Sequence, residues 1–288
     1  MHVSVVIPAH NEANVLGRCL DALARGVAAG DALEVVVVAN ACTDATADVA
    51  RSHGVIAVET DTPGKANALN LGDDVATRFP RLYLDADCTL TGGEVLRLAR
   101  QLAASGKPVA SPRMKVDLSN RGWAVRAFYD VWLGSAYVRD NLVGSGAYLL
   151  SEAGRRRFGR FPELTADDGF VRLTFRASER FLSPDVALTL TPPADLGSLI
   201  RIKTRAHFGN YELRRALPSL PTSRGSGERR QLPSLLRQAA RPWRWPKLAV
   251  YGYVMATAKR EAARRIRRGN AVAWERDDSS RAPTPALA

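Results

Sequence analysis

The first 85 residues of the chain alternate between short apolar runs and segments that can form helices. The four runs are residues 3–8, 33–39, 55–59 and 81–85. Such alternation is typical of βαβ units, whose strands lie parallel in one sheet. The second run contains four consecutive valines at 35–38, as expected of a strand that is covered on both faces. The sequence therefore predicts an α/β fold built on a mostly parallel sheet.

Changes in composition indicate how the rest of the chain is divided into segments. The regular alternation ends near residue 105, and a later stretch rich in Pro, Ser, Gly and Arg predicts a linker. We therefore divide the chain into one domain of two halves, a linker, a basic helical extension and a disordered tail. The predicted bounds are 1–215 for the domain, with halves 1–105 and 106–215, then 216–233, 234–276 and 277–288.

No segment predicts a leader or a membrane span. Residues 1–8 lack a basic leader region and a small-residue cleavage site, so we interpret them as a buried strand. The longest late apolar stretch, 248–258, is much shorter than the roughly 20 residues that a spanning helix needs. The cysteines form no CxxC pair and suit a reducing compartment, so we expect a cytoplasmic protein. They are Cys19, Cys42 and Cys88.

Positive charge is concentrated in the last third. The chain carries a net charge of +12, and residues 201–288 hold 20 Lys and Arg against 6 Asp and Glu, which leaves 21 against 23 in residues 1–200. An anionic membrane surface, a phosphorylated lipid or nucleic acid could each bind such a segment, and a solvated basic helix pair explains it equally well. Of these partners we expect the anionic membrane surface and not nucleic acid.

Aromatic residues stand beside these basic residues. Such a mixture suits a membrane interface and predicts peripheral attachment to the inner face of an anionic membrane. Packing of the same aromatic rings against the rest of the protein is the alternative. The residues are Trp243, Trp245, Tyr251 and Tyr253 beside Arg241, Arg244 and Lys247.

Polar residues follow three of the predicted strands. In an open parallel sheet, ligands bind at the carboxyl ends of the strands, so we expect these groups to meet at one edge. They are residues 8–12, 40–44 and 85–87.

Asp85 and Asp87 are separated by one residue at a strand end, where both carboxylates can enter one cleft. Hard oxygen ligands of this kind suit Mg²⁺ or Mn²⁺, leaving coordination sites for phosphate oxygens. Such an ion would neutralise charge on a diphosphate leaving group. The alternative is that the two carboxylates only form Asx-turns.

Two further groups precede predicted helices. Residues 63–70 contain a turn and Lys65, which can reach a phosphate or can be an ordinary exposed lysine; the P-loop spacing is absent. Asp167 and Asp168 either cap a helix or, if they face the cleft, supply a general base for an acceptor hydroxyl.

Taken together, these groups resemble the family 2 glycosyltransferases of GT-A fold over roughly residues 3–210. The opening strand and donor loop at 5–12 are similar to those of the family, and residues 63–70 match its next block. Residues 39–44 stand where the family has Asp-Asp-Gly-Ser-Thr-Asp, and 84–87 match its metal motif. The resemblance implies a GT-A type, Rossmann-like sheet flanked by helices, with nucleotide-sugar binding in 1–105 and acceptor binding in 106–215.

The resemblance also implies roles for individual residues. Asp168 would be the catalytic base, with Asp167 in place of the family's Glu, and Asp87 would bind the metal. Asp85 would contact ribose or metal, and His207 is either a third ligand or a surface histidine. The implied donor residues are Pro8, Ala9, Asn11, Glu12, Asn40, Asp44, Lys65, Asn67 and Asp85. The acceptor loop would be Gly144, Ser145 and Gly146, with diphosphate contacts from Arg201, Lys203 and Arg205.

We therefore expect an inverting, metal-dependent transferase that uses a nucleotide diphosphate sugar. Because the Gln-x-x-Arg-Trp motif of processive members is absent, we expect one sugar to be transferred. Its hydroxyl acceptor could be lipid-linked, a glycan or a small metabolite. The rival hypotheses are a sugar-phosphate nucleotidyltransferase, which the missing Gly-rich pyrophosphorylase loop disfavours, and an inert module that binds membranes or nucleic acid.

Overall fold

The computed structural model of the protein describes residues 1–135, 138, 146–164, 166–217 and 226–268, with side chains of the last segment from Leu232 onward. The described chain divides into two compact units. The first unit comprises Met1–Lys115, Leu142–Glu163 and Phe170–Leu190, and the second comprises Val116–Asn141, Leu164–Gly169 and Thr191–Ala288, each within the described residues.

The first unit carries a seven-stranded sheet. Its strands are β1 (His2–Ala9), β2 (Ala32–Asn40), β3 (Ile56–Thr60), β4 (Arg81–Leu84), β5 (Val109–Val116), β6 (Ala147–Leu150) and β7 (Arg180–Leu190). The strand order is β3-β2-β1-β4-β6-β5-β7. The first four strands pair in parallel, and β6 is antiparallel to both β4 and β5. The predicted mostly parallel α/β sheet is confirmed.

Helices follow the strands along the chain. They are α1 (Ala13–Leu23), α2 (Thr46–Ser52), α3 (Lys65–Val75), α4 (Gly92–Ser105), α5 (Trp123–Leu133), α6 (Glu152–Arg155), α7 (Asp167–Thr174), α8 (Leu196–Ala216), α9 (Ser226–Ala239) and α10 (Trp245–Arg267). Among the described helices none is long and apolar enough to cross a bilayer.

The core of the first unit forms around β1, whose residues from Val3 to Ala9 are all buried. Helix α3 lies directly on this strand. A Cβ at Gly72 would stand 2.3 Å from Val6 Cγ1, so only glycine permits this approach. At the start of α4, Thr91 and Glu94 form a capping box.

The second unit packs α10 against α5 and α8. The Tyr251 ring stacks on Phe128 at 5.2 Å between centroids, and Asp130 on α5 binds both Arg244 and Lys247, at 3.1 and 2.8 Å. Helix α9 begins at Ser226. The first stretch of the first unit ends at Lys115, and α5 in the second unit contacts the C-terminal helices. The domain bounds given in the sequence analysis stay predictions.

A buried ionic cluster joins α3, β4 and α6 in the first unit. The Asp73 side chain is 7% exposed and forms ion pairs with Arg81, itself 6% exposed, and with Arg155 at 2.7 Å. The Tyr83 hydroxyl donates to the same carboxylate at 2.6 Å. Removing one member of such a cluster leaves the opposite charges buried without compensation, which is costly.

We expect Asp73→Asn to lower the free energy of unfolding by about 3 to 5 kcal/mol, measured by urea denaturation. The matched control is Asp74→Asn, which removes the neighbouring carboxylate from an exposed pair with Arg160. That change should cost less than about 1 kcal/mol, because solvent screens exposed pairs. Equal losses for the two variants would contradict a stabilising role of the buried cluster.

Candidate active site

The carboxyl ends of β1, β2 and β4 lie at one edge of the sheet, because these strands are parallel neighbours. The pairing of Ala9 with Ala39 places the ends of β1 and β2 side by side. The predicted donor residues within 8–12, 40–44 and 85–87 thus lie at or just after the ends of adjacent strands, whereas Lys65 and Asn67 are on α3. Pro8 and Ala9 are the last residues of β1, and both are buried.

Two loops at this edge are joined by hydrogen bonds. Asn11 Oδ1 accepts from the Thr43 amide at 2.6 Å, and the backbone of Asn11 has a φ of +52°. Asp44 Oδ2 accepts from the Ala13 amide at 3.1 Å. Asn11 and Asp44 thus fix the conformation of the two loops at this edge. The Thr46 hydroxyl, which the sequence analysis missed, accepts from the Glu12 amide at 2.8 Å, and Glu12 itself is buried.

Asn40 is an exception to the usual satisfaction of buried polar groups. It ends β2 and is fully buried, yet neither Nδ2 nor Oδ1 of its amide has a hydrogen-bond partner. Its backbone carbonyl lies 2.7 Å from His10 Nδ1. A buried amide left without partners costs about 1 to 3 kcal/mol, and such a group calls for an explanation outside stability. A ligand at this edge of the sheet would provide one.

Lys65 and Asp85 form the charged part of the edge. Lys65 is the first residue of α3, and its Nζ lies 2.7 Å from Asp85 Oδ1. Both side chains are partly exposed, so the pair remains within reach of solvent and ligand. Asn67, two residues further along α3, donates from Nδ2 to the Thr62 carbonyl at 3.0 Å and holds the loop before α3.

Gly146 lies against the same carboxylate. Its φ is +84°, and a Cβ there would stand 2.4 Å from Cys88 Sγ and 3.3 Å from Asp85 Oδ2. Its carbonyl accepts from the Asp85 amide at 2.8 Å. Only glycine fits this position. Gly144 and Ser145, the other residues of the predicted acceptor loop, lie outside the described residues.

The chemistry of the ligands fits a metal that is shared with the substrate. Asp85 and Asp87 carry hard carboxylate oxygens, and Mg²⁺ is commonly held by one or two carboxylates together with phosphates and water. Within the described ranges no group of three His, Cys, Asp or Glu side chains could form a complete protein site. The nearby sulfurs are poor ligands as thiols, since burial, with a contribution from the charge of Asp87, raises the pKa of Cys19 to about 12.

The predicted catalytic pair begins α7. Asp167 is buried, and Asp168 Oδ1 accepts from the Gly169 amide at 2.6 Å. Both carboxylates lie in the first turn of the helix, where the helix dipole favours negative charge. Both the capping role and the role as general base stay predictions.

The remaining candidates lie on α8, in the second unit. Arg201 is exposed and donates to Ser198 Oγ at 2.8 Å. Lys203 Nζ lies over the rings of α5, 4.3 Å from the Trp132 centroid, and burial lowers the pKa of this lysine to about 8. Arg205 and His207 are half-buried. Their roles as diphosphate contacts and metal ligand stay predictions.

Comparison with known proteins assigns the family. The sequence model described as glycosyl transferase family 2 matches residues 4–157, which is more than half of the chain. The chain belongs to this family. Membership favours glycosyl transfer over nucleotidyl transfer and over an inert module, so the protein is a glycosyltransferase that uses nucleotide sugars.

Relatives and solved structures agree with this assignment. Glycosyltransferase AglE from Haloferax volcanii is 23% identical over 223 residues, which cover 73% of each chain. The chain spans about half the length of the mycobacterial glycosyltransferases that it matches at 32% and 35% identity.

Two solved structures share the GT-A fold of this glycosyltransferase. The mannosyltransferase PcManGT from Pyrobaculum calidifontis, in complex with GDP-Man and Mn²⁺, superposes with a TM-score of 0.59 at 21% identity, over 93% of this chain and 76% of that one. S. aureus TarS 1-349 with UDP-GlcNAc gives a TM-score of 0.54 at 16% identity, over 94% and 93%.

We expect Asn40→Leu to separate stability from ligand binding. Removing a buried amide without partners should raise the free energy of unfolding by about 1 kcal/mol. Nucleotide sugar affinity, measured by calorimetry, should fall about tenfold or more if the amide binds the donor.

The matched control is Asn70→Leu. The Asn70 amide is also buried, but it binds the Phe161 carbonyl and amide at 3.0 and 2.7 Å. Its loss should destabilise the protein by about 1 to 3 kcal/mol. A similar loss of stability in Asn40→Leu, with unchanged donor affinity, would show that Asn40 has a structural role.

Proposed function

We propose that this glycosyltransferase transfers a single sugar from a nucleotide diphosphate sugar to an acceptor hydroxyl, with inversion at the anomeric carbon and with the aid of Mn²⁺ or Mg²⁺. One observation carries the proposal. Lys65 is held 2.7 Å from Asp85 at the end of β4, and Asp87 follows two residues later. A cation beside two carboxylates, at the ligand-binding edge of a parallel sheet, suits a metal diphosphate.

The nucleoside would bind where β1 and β2 end. Pro8, Glu12 and Asn40 lie at this edge, and the Asn40 amide offers both a donor and an acceptor to a base. PcManGT binds a guanine nucleotide sugar and TarS binds a uracil one, so the fold accommodates either base. Because an Asn stands where the family carries Asp, we leave the base open and propose that Asn40 selects it.

The diphosphate would lie beside Lys65 and the two aspartates. Asp87 and Asp85 would hold the metal ion, which when bound neutralises charge on the departing nucleoside diphosphate. Lys65 balances one carboxylate charge and keeps Asp85 in place through its ion pair. We retain Arg201, Lys203 and Arg205 as proposed diphosphate contacts and His207 as a proposed third metal ligand.

Asp168 is the proposed general base, and Asp167 its neighbour in the catalytic pair. Its carboxylate takes the proton of the acceptor hydroxyl while the hydroxyl oxygen forms a bond to the anomeric carbon. The bond from that carbon to the diphosphate oxygen breaks in the same step, and nucleoside diphosphate leaves. One displacement inverts the anomeric configuration. The acceptor could be lipid-linked, a glycan or a small metabolite, and we propose that the reaction takes place in the cytoplasm.

The variant Asp87→Asn tests whether Asp87 binds the metal ion. With a panel of uridine, guanosine and other nucleotide sugars, calorimetry should show donor binding that Mn²⁺ or Mg²⁺ strengthens in the native protein. The variant should lose at least about tenfold in that metal-dependent affinity, because a neutral amide is a weaker ligand than a carboxylate. Asp74→Asn, an exposed aspartate on α3, is the control. Equal metal dependence in Asp87→Asn would rule out this site.

The variant Asp168→Asn tests whether Asp168 is the general base. We expect kcat for sugar transfer to fall by about 10²- to 10⁴-fold, with donor affinity unchanged, because only proton removal is lost. Glu152→Gln, an exposed carboxylate on α6, should leave kcat unchanged. NMR of the product should show the anomeric configuration opposite to that of the donor. Retained configuration, or full activity of Asp168→Asn, would refute the mechanism.

A further inference from the structure

Helix α10 has an outer face, which we define as its exposed residues three or four positions apart. The first half of this outer face is uncharged and the second half is basic. Because these positions follow the helical repeat, their side chains share one side of the helix. The residues are Trp245, Ala249, Gly252, Tyr253 and Ala256, then Lys259, Arg260, Arg264 and Arg267.

The opposite face of α10 is already packed. Tyr251, Val254, Ala258 and Ala262 are buried, and the helix contacts α5 and α8. Tyr251 is therefore packed against the rest of the protein, which is the alternative that the sequence analysis gives for these aromatic residues. The rings of Trp243, Trp245 and Tyr253 instead lie at the surface, although Trp245 Nε1 donates to the Ala239 carbonyl at 2.9 Å.

Large hydrophobic side chains are unusually exposed at the start of α10. Trp243 is 73% exposed, Trp245 is 60% exposed and Tyr253 is 58% exposed. With Leu232 and Leu236 they make five of the ten exposed large hydrophobic side chains in the described residues, within one short segment. Side chains of this kind that cluster at a surface mark an interaction site.

The charge of the segment determines what kind of partner it fits. Between residues 232 and 268 the sequence has ten Lys and Arg against a single acidic residue, Glu261. That glutamate is paired with Arg264 at 2.7 Å. A surface so basic attracts an anionic partner, and each Lys or Arg near an anionic bilayer contributes about 1 kcal/mol.

We infer that the outer face of α10, together with Trp243, binds the surface of an anionic lipid bilayer. The helix lies along the membrane plane, with Trp and Tyr rings at the boundary between headgroups and acyl chains. The Lys and Arg side chains of its second half reach the lipid phosphates. Nucleic-acid surfaces instead place aromatic rings among the cations, so that each base stacks beside its phosphate. On the outer face of α10 the aromatic residues lie in the first half and the basic residues in the second, while Arg244 and Lys247, which are next to the aromatic residues in sequence, are paired with Asp130.

Cosedimentation of the full chain with vesicles tests this inference without any sugar donor, so its result is independent of the proposed function. The probes are phosphatidylcholine vesicles with and without about 30% phosphatidylglycerol, in low and in physiological salt. We expect binding to the anionic vesicles alone, and weaker binding as salt rises.

Two pairs of variants locate the surface. Trp243→Ser with Tyr253→Ser, and separately Arg260→Gln with Arg267→Gln, should each lower the vesicle partition coefficient about tenfold. The matched controls are Tyr211→Ser on α8 and Arg25→Gln with Arg78→Gln in the first unit, all exposed positions. These controls should bind as the native chain does. Thermal melting by circular dichroism confirms that each variant is folded.

Several results would overturn the inference. If the native protein does not bind anionic vesicles in low salt, the proposed surface does not exist, whatever the variants do. Equal losses in the controls would mean that binding follows net charge and not the outer face. Binding of an oligonucleotide in place of vesicles would assign the face to nucleic acid, and dimerisation that Trp243→Ser with Tyr253→Ser abolishes, without vesicle binding, would assign it to a second copy of the chain.

Discussion

The parallel pairing of β1 with both β2 and β4 is the constraint on which the first unit depends. Because β1 is buried along almost its whole length, its two neighbours must be held in register on either side. Parallel strands end at the same edge, so the polar residues after each strand are brought together there. The side chains of Asn11 and Thr46 accept backbone hydrogen bonds that join the segments after β1 and β2, and Gly72 lets α3 lie close to β1.

Polar groups are treated differently in the core and at this edge. Around Asp73, two arginines and a tyrosine hydroxyl satisfy a buried carboxylate, and the cluster joins three elements. At the edge, the Asn40 amide is buried without partners, and Lys65 with Asp85 stays partly open to solvent. Unsatisfied groups of this kind lower stability, and they concentrate where a ligand can complete them. The residues proposed to bind a ligand are therefore different from those that form the buried ionic cluster.

The two faces of α10 show the same division of roles in the second unit. One face binds α5 and α8, with Tyr251 stacked on Phe128 and two basic residues paired with Asp130. The other face is exposed and combines aromatic and basic residues. A helix whose inner face is fully used by packing can present its outer face to a partner without loss of stability.

The sequence by itself determined the mostly parallel α/β sheet and the family to which the chain belongs. These features depend on local periodicity and short motifs, which neighbouring residues encode. Only the tertiary structure decided that Asn40 lacks partners, that Lys65 pairs with Asp85, and that Gly146 lies against Cys88. It also decided which C-terminal aromatic residues are packed and which are exposed. These contacts join residues far apart in the chain, so no local pattern could specify them.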